Sequence, residues 1–269
     1  MEVKFNKITL IDRLCSMLKV DFLRMSRSKT FYILIATALI IPILMTVMMT
    51  MMDGQESVNP QTGEITVMQG PENAWQSIGA LPGDEGAAMG GMDVMSMCNI
   101  NMMFMLVSVF ICLFISQDFR SGFSKNLFTT RVRKSDYVVS KTLGGVTCGV
   151  LMLIAYFIGA MLGGAISGLS FDLHGLTSYN IISCILAKLC LMLVFVPIFV
   201  IISVAAKSKI WLSICGSLGG GMILFMMVSL ITPLSSTLTN VALCLAGGIM
   251  FSLGLGAISC VVLKKTSLV

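Results

Sequence analysis

Six of the eighteen Lys and Arg residues of this chain lie in one stretch, Gln117 to Thr142, which reads QDFRSGFSKNLFTTRVRKSDYVVSKT. Apolar runs long enough to cross a bilayer flank it on both sides, and no Lys or Arg occurs between Lys29 and Arg120. Charge confined in this way can do two things. It can hold a loop on the cytosolic face, where basic loops stay, and it can meet acids on a cytosolic partner. One further cation, Lys188, stands seven residues into an otherwise apolar run. An ionisable group at a helix centre in a bilayer costs roughly 2.5–3.5 kcal/mol, and less near the interface. Lys188 therefore either lines a path and meets acidic or C-terminal carboxylate groups of a cargo, or snorkels outward to the headgroups. Asn99 and Asn101, near the outer end of another apolar run, are two apart and do not share a helix face; at most one of them lines a cavity.

Other reactive residue types form no recognisable site. The nine cysteines are an odd count, contain no CxxC pair and lie mostly in apolar runs, as small packing residues do. Methionines crowd one region (Met89, Met92, Met95, Met97, Met102, Met103 and Met105), but without a clearly placed Cys or His partner they read as adaptable packing rather than a metal site. His174 stands alone in a loop. The sequence has no G-x-x-x-x-G-K-[ST] motif, no pair of carboxylates within a span, no Ser-His-Asp set and no HExxH. No enzyme activity and no cofactor or metal of its own is therefore expected, and energy for work against a gradient must come from another polypeptide.

The elements that position these residues are set by composition. The chain has 269 residues, 56% hydrophobic and 12% charged, with a mean hydropathy of +0.94. Soluble domains keep about 25% charged residues, so this is an integral membrane protein; a net charge of +5, scattered as it is, does not argue for nucleic acid. The expected fold is an all-α bundle in one transmembrane domain, with six spans at about 30–52, 94–116, 143–167, 181–206, 210–231 and 241–263. Residues 8–27 form an amphipathic helix suited to the cytosolic membrane surface. Asp21 breaks its apolar stripe and either pairs with Arg24 or faces protein. Asp12, Arg13, Lys19 and Asp21 interrupt any signal-peptide core, so no cleaved leader is expected. Pro42 is expected to kink the first span. Residues 53–93 carry seven carboxylates and no basic residue, which makes them extracellular. The third span carries two small-residue spacings, Gly159-x-x-x-Gly163 and Gly164-x-x-x-Gly168, that let helices approach closely. Both termini then fall in the cytosol of a multi-pass protein in the plasma membrane.

The order of features resembles a known family. A surface helix precedes the first span. The second span ends in Asp118-Phe119, followed by Gly122, Lys125-Asn126-Leu127, the basic run Arg131-Val132-Arg133-Lys134, and Tyr137 with Ser140-Lys141 leading into the third span. This resembles the six-span permease subunits of ABC type-2 transporters, in particular small bacterial exporters and immunity permeases that handle peptides and antibiotics. One departure is Arg131, where family members often carry a proline. The resemblance implies that residues 8–27 are the elbow helix and that roughly Asp118–Phe128 is a coupling helix docking on a separate cytosolic ABC ATPase subunit. That subunit would hold the ATP and Mg. A second permease copy, identical or closely related, would complete the unit. Within the coupling helix, Phe119 and Phe123 are four apart and share a face as an apolar anchor, Gly122 permits close backbone approach, and Arg120 and Lys125 can meet acids on the partner. Asp118 and Asn126 belong to the same motif. The implied function is export of an amphipathic or hydrophobic cargo, such as a peptide, antibiotic or lipid. The alternative is a non-transporting sensor or immunity protein that binds a ligand through its acidic outer segment.

Overall fold

The computed structural model describes residues 10–58, 65–67, 70–79, 99–129, 133–173 and 175–265. His174, Arg131, Val132 and the methionines at 89, 92, 95 and 97 lie outside the described residues. Among the described residues the fold is helical apart from one small hairpin. Helix α1 (Leu10–Ser26) leads through a tight turn into α2 (Lys29–Met51). Strands β1 (Glu56–Val58) and β2 (Ile65–Val67) pair antiparallel. A 3₁₀ turn at Ile100–Met102 runs into α3 (Met103–Arg120), then α4 (Phe123–Thr129), α5 (Lys134–Ile166), α6 (Ser178–Ala206), α7 (Ile210–Ile231) and α8 (Leu238–Lys265).

Long uncharged runs make helices here because, in lipid, every backbone N–H and C=O must be satisfied within the segment. Among the described residues, five helices are long and apolar enough to cross a membrane: α2, the 3₁₀ turn with α3, α5, α6 and α8. The expected fifth span coincides with α7. Helix α7 runs over 22 residues from Ile210 to Ile231, and the other five expected spans meet the length and hydropathy of a crossing among the described residues. The helix over the expected third span, α5, begins at Lys134 and is 33 residues long, so its first turns belong to the basic stretch rather than to the apolar run. Helix α2 continues through Pro42 as one helix.

Helix α5 is the hub, touching α1, α2, α3, α6 and α8. Its glycines explain how α2 comes so close. A β-carbon at Gly159 would collide with the Leu39 backbone and lie 2.7 Å from Pro42 Cγ; one at Gly163 would lie 3.0 Å from Ile43 Cα. Gly164 faces elsewhere, with Ala74 Cβ 2.6 Å from where its own would stand, and Gly168 has φ +69° beyond the helix end. The two small-residue spacings therefore act separately: Gly159 and Gly163 seat α2, Gly164 seats the outer segment, and Gly168 turns the chain. Deeper in the core, Phe104 stacks on Phe195 at 4.3 Å. A polar thread of fully buried groups joins α3, α6 and α7: Ser203 Oγ and Cys112 Sγ are 3.3 Å apart, Cys112 Sγ donates to Ser217 Oγ at 2.9 Å, and Ser213 Oγ donates to Ser203 Oγ at 3.0 Å.

The outer segment has structure of its own where it is described. Asn73 starts a 3₁₀ turn (Ala74–Ser77) through a capping box shared with Gln76. Its Nδ2 donates to the Asp172 carbonyl at 2.5 Å, Ala74 N donates to Ser170 O at 3.0 Å, and Trp75 Nε1 donates to Phe171 O at 3.1 Å. These bonds fasten residues 70–79 to the α5–α6 connection, over the Gly164 end of α5.

Candidate functional site: a neutralised charge node beneath the basic loop

The basic stretch folds as three pieces. Helix α3 runs to Arg120, the chain turns at Ser121-Gly122, and α4 starts at Phe123. Gly122 has φ +71°, the left-handed region that favours glycine. Nothing lies within 4 Å of where its β-carbon would stand, so glycine is needed here for the turn and not for space inside this chain. The turn corrects two expectations. The helix over Asp118–Phe128 is not continuous. Phe119 and Phe123 therefore belong to different helices and do not share one helical face.

Beneath the turn lies a cluster of charges. The Asp118 carboxylate is fully buried. It accepts from Arg24 at 2.6 Å through Oδ1, and from Lys141 Nζ at 2.7 Å and the Tyr137 hydroxyl at 3.1 Å through Oδ2. Lys141, also buried, donates at 2.6 Å to Asp21 Oδ1, and Ser140 donates at 2.6 Å to Asp21 Oδ2. Aromatic faces close the rest. The Arg24 guanidinium lies 4.1 Å from the Phe123 ring centroid, and Lys141 Nζ lies 4.1 Å from that of Phe114. Two acids and two bases thus neutralise each other, as buried charges must. Arg13 pairs with Asp136 at 3.5 Å on the flank of the node. Four elements meet here: α1 supplies Asp21 and Arg24, α3 Asp118 and Phe114, α4 Phe123, and α5 Tyr137, Ser140 and Lys141.

Of the two expectations for Asp21, the second holds. It faces protein, on Lys141 and Ser140, and Arg24 pairs with Asp118 rather than with Asp21. Its misplacement on the apolar stripe of α1 was a readable signal that it meets a buried cation. The spacing of Tyr137, Ser140 and Lys141 on one face of α5 was a second signal, but nothing in the sequence names the pairing. Asp118 points into the node, Phe123 is half-buried against it, and Phe119 is half-buried against the core. Arg120, Lys125 and Asn126 are exposed.

Lys188 occupies the opposite situation. Its side chain is enclosed, 1% exposed, and does not snorkel. Nζ donates to Asn101 Oδ1 at 2.6 Å and to Thr232 Oγ1 at 3.1 Å. No carboxylate pairs with it among the described residues. Asn99 caps the 3₁₀ turn by accepting from Asn101 N at 2.9 Å, which fixes Asn101. The two asparagines thus work in series, one as cap and the other as Lys188 partner. Thr232, one residue beyond α7, carries no sequence signal that would have singled it out.

A bundle of long apolar helices, with ionisable groups buried only where they are bonded, defines a multi-pass α-helical membrane protein. Residues 17–223 match the family described as ABC-2 family transporter protein, and the chain belongs to that family. Its place there is that of a membrane permease subunit of an ABC transporter, a kind of subunit that generally works with an ATPase subunit. A search of curated proteins finds no match, and neither does a search of solved structures.

Proposed function

We propose that the chain is the permease half of an exporter driven by a separate cytosolic ATPase, with the turn and helix α4 as the coupling element and α1 as the elbow helix. In this reading α7 completes a set of six spans and both ends of the chain are cytosolic, in the plasma membrane. The observation that supports it is the charge node. A push on α4 reaches α1, α3 and α5 together, because Asp118, Arg24, Lys141 and Asp21 join all of these ends by short ionic bonds. Coupling by rigid-body motion needs such a stiff joint. The partner ATPase binds ATP and Mg, and two permease copies enclose the cargo path. The apolar, methionine-rich spans favour an amphipathic or hydrophobic cargo such as a peptide, antibiotic or lipid. Arg120, Lys125 and Asn126, exposed around the turn, are the groups that meet the partner, while Phe119 and Phe123 stiffen the turn from within.

The test uses charge reversal at the exposed positions. Arg120→Glu with Lys125→Glu abolishes co-purification with an ATPase subunit and leaves membrane insertion and thermal stability intact. Undiminished co-purification with stimulated ATPase activity overturns the coupling assignment.

A further inference from the structure

We propose that the groove between α1, α2 and the middle of α5 seats an acyl chain of an anionic phospholipid, with the lipid phosphate at Lys19. The groove holds about 660 Å³. Leu18, Phe22 and Leu23 of α1, Phe31 of α2 and Leu151 of α5 line it. Lys19 is its one charged lining residue.

Three features select a lipid over a peptide. First, the walls are almost wholly apolar, and an extended peptide would leave backbone N–H and C=O groups unbonded against them, whereas a hydrocarbon chain leaves none. Second, the groove has the right depth. Ten residues of α5 separate Lys141, in the charge node at the cytosolic end, from Leu151, about 15 Å of helix rise, which is close to half of the roughly 30 Å hydrocarbon core. Third, the charge sits at the correct end. Lys19 belongs to the surface helix, is exposed, and has no ion pair among the described residues. The acid two residues along, Asp21, is turned inward onto Lys141 and does not compete for it. A lipid seated here fills the space under α1 and braces it against the bundle on the side away from the node. The inference rests on the reading that α1 lies at the cytosolic membrane surface, and not on the coupling assignment.

The full-length protein is reconstituted in vesicles of equal parts phosphatidylglycerol and phosphatidylcholine, re-extracted in mild detergent, and its retained lipids are counted by native mass spectrometry. One basic side chain near an anionic surface supports a preference of about fivefold for phosphatidylglycerol. Lys19→Glu brings that ratio to about one or below, as the loss of that single contact requires. Leu151→Trp and, independently, Leu23→Trp fill the groove and lower retention of both lipids, with gel filtration confirming that each variant is folded. An unchanged ratio in Lys19→Glu, unchanged retention in both tryptophan variants, or a retained peptide in place of lipid overturns the proposal. No ATPase enters the measurement, so its outcome is separate from that of the coupling test.

Discussion

The two places where this chain buries a lysine treat its charge in opposite ways. Lys141 sits among two carboxylates, an arginine, a tyrosine and two aromatic faces, and the node as a whole is neutral. Lys188 is as thoroughly enclosed, yet its bonds are to an amide oxygen and a hydroxyl. Neutral partners satisfy the donors of an ammonium without cancelling its charge. The node is therefore a joint, since every member is costly to remove. The Lys188 site is a buried amine held by neutral partners, with no carboxylate beside it among the described residues. In the proposed function, the first carries transmission and the second is where cargo chemistry acts.

Matched substitutions test that contrast. Lys141→Met leaves Asp21 and Asp118 competing for Arg24 alone; breaking a buried network from one side costs about 3–5 kcal/mol. A large fall in Tm in detergent, with loss of folded protein from membranes, is the expected outcome, and a Tm within a degree or two of wild type would show the node to be dispensable. Asp118→Asn, which keeps the shape and the Tyr137 contact, is expected to fall between Lys141→Met and wild type on the same scale. Gly122→Ala acts on the joint from outside. It puts a β-carbon on a residue at φ +71°, a conformation that costs roughly 1–2 kcal/mol for an L side chain, and should reduce ATPase stimulation more than it reduces Tm. Lys188→Met is expected to move Tm least, by no more than about 1 kcal/mol equivalent, because the desolvation of a buried ammonium is relieved while only Asn101 Oδ1 and one Thr232 lone pair go unbonded. Its effect should fall on transport of acidic cargo. Wild-type transport in that variant would remove Lys188 from the path.

The same contrast shows how far residue types alone can be read. Lys188 was conspicuous because a cation in an apolar run is costly wherever it points, but its choice between path, headgroup and interior depended on neighbours from the turn at Asn101 and the end of α7. Asp21 was conspicuous for the same reason, on the wrong side of an amphipathic helix. Its obvious local partner, Arg24, lost to a lysine 120 positions away because α1 packs across the start of α5. Local spacing ranks nearby candidates; tertiary packing admits distant ones.

By itself the sequence determined that this chain is a helical membrane protein, since backbone bonds in lipid leave uncharged runs no other fold with this length and pattern. It also determined which stretch is basic and where glycines thin α5. The tertiary structure alone decided that α3 stops short of α4 at Gly122, that Asp118 faces inward, that Gly159 and Gly163 seat α2 while Gly164 seats the outer segment, and that two buried lysines differ in whether their charge is cancelled. Helices follow from local hydrogen bonding and solvent, which the sequence carries residue by residue. The partners of a buried charge follow from which helix ends converge, and that is fixed only when the whole bundle is packed.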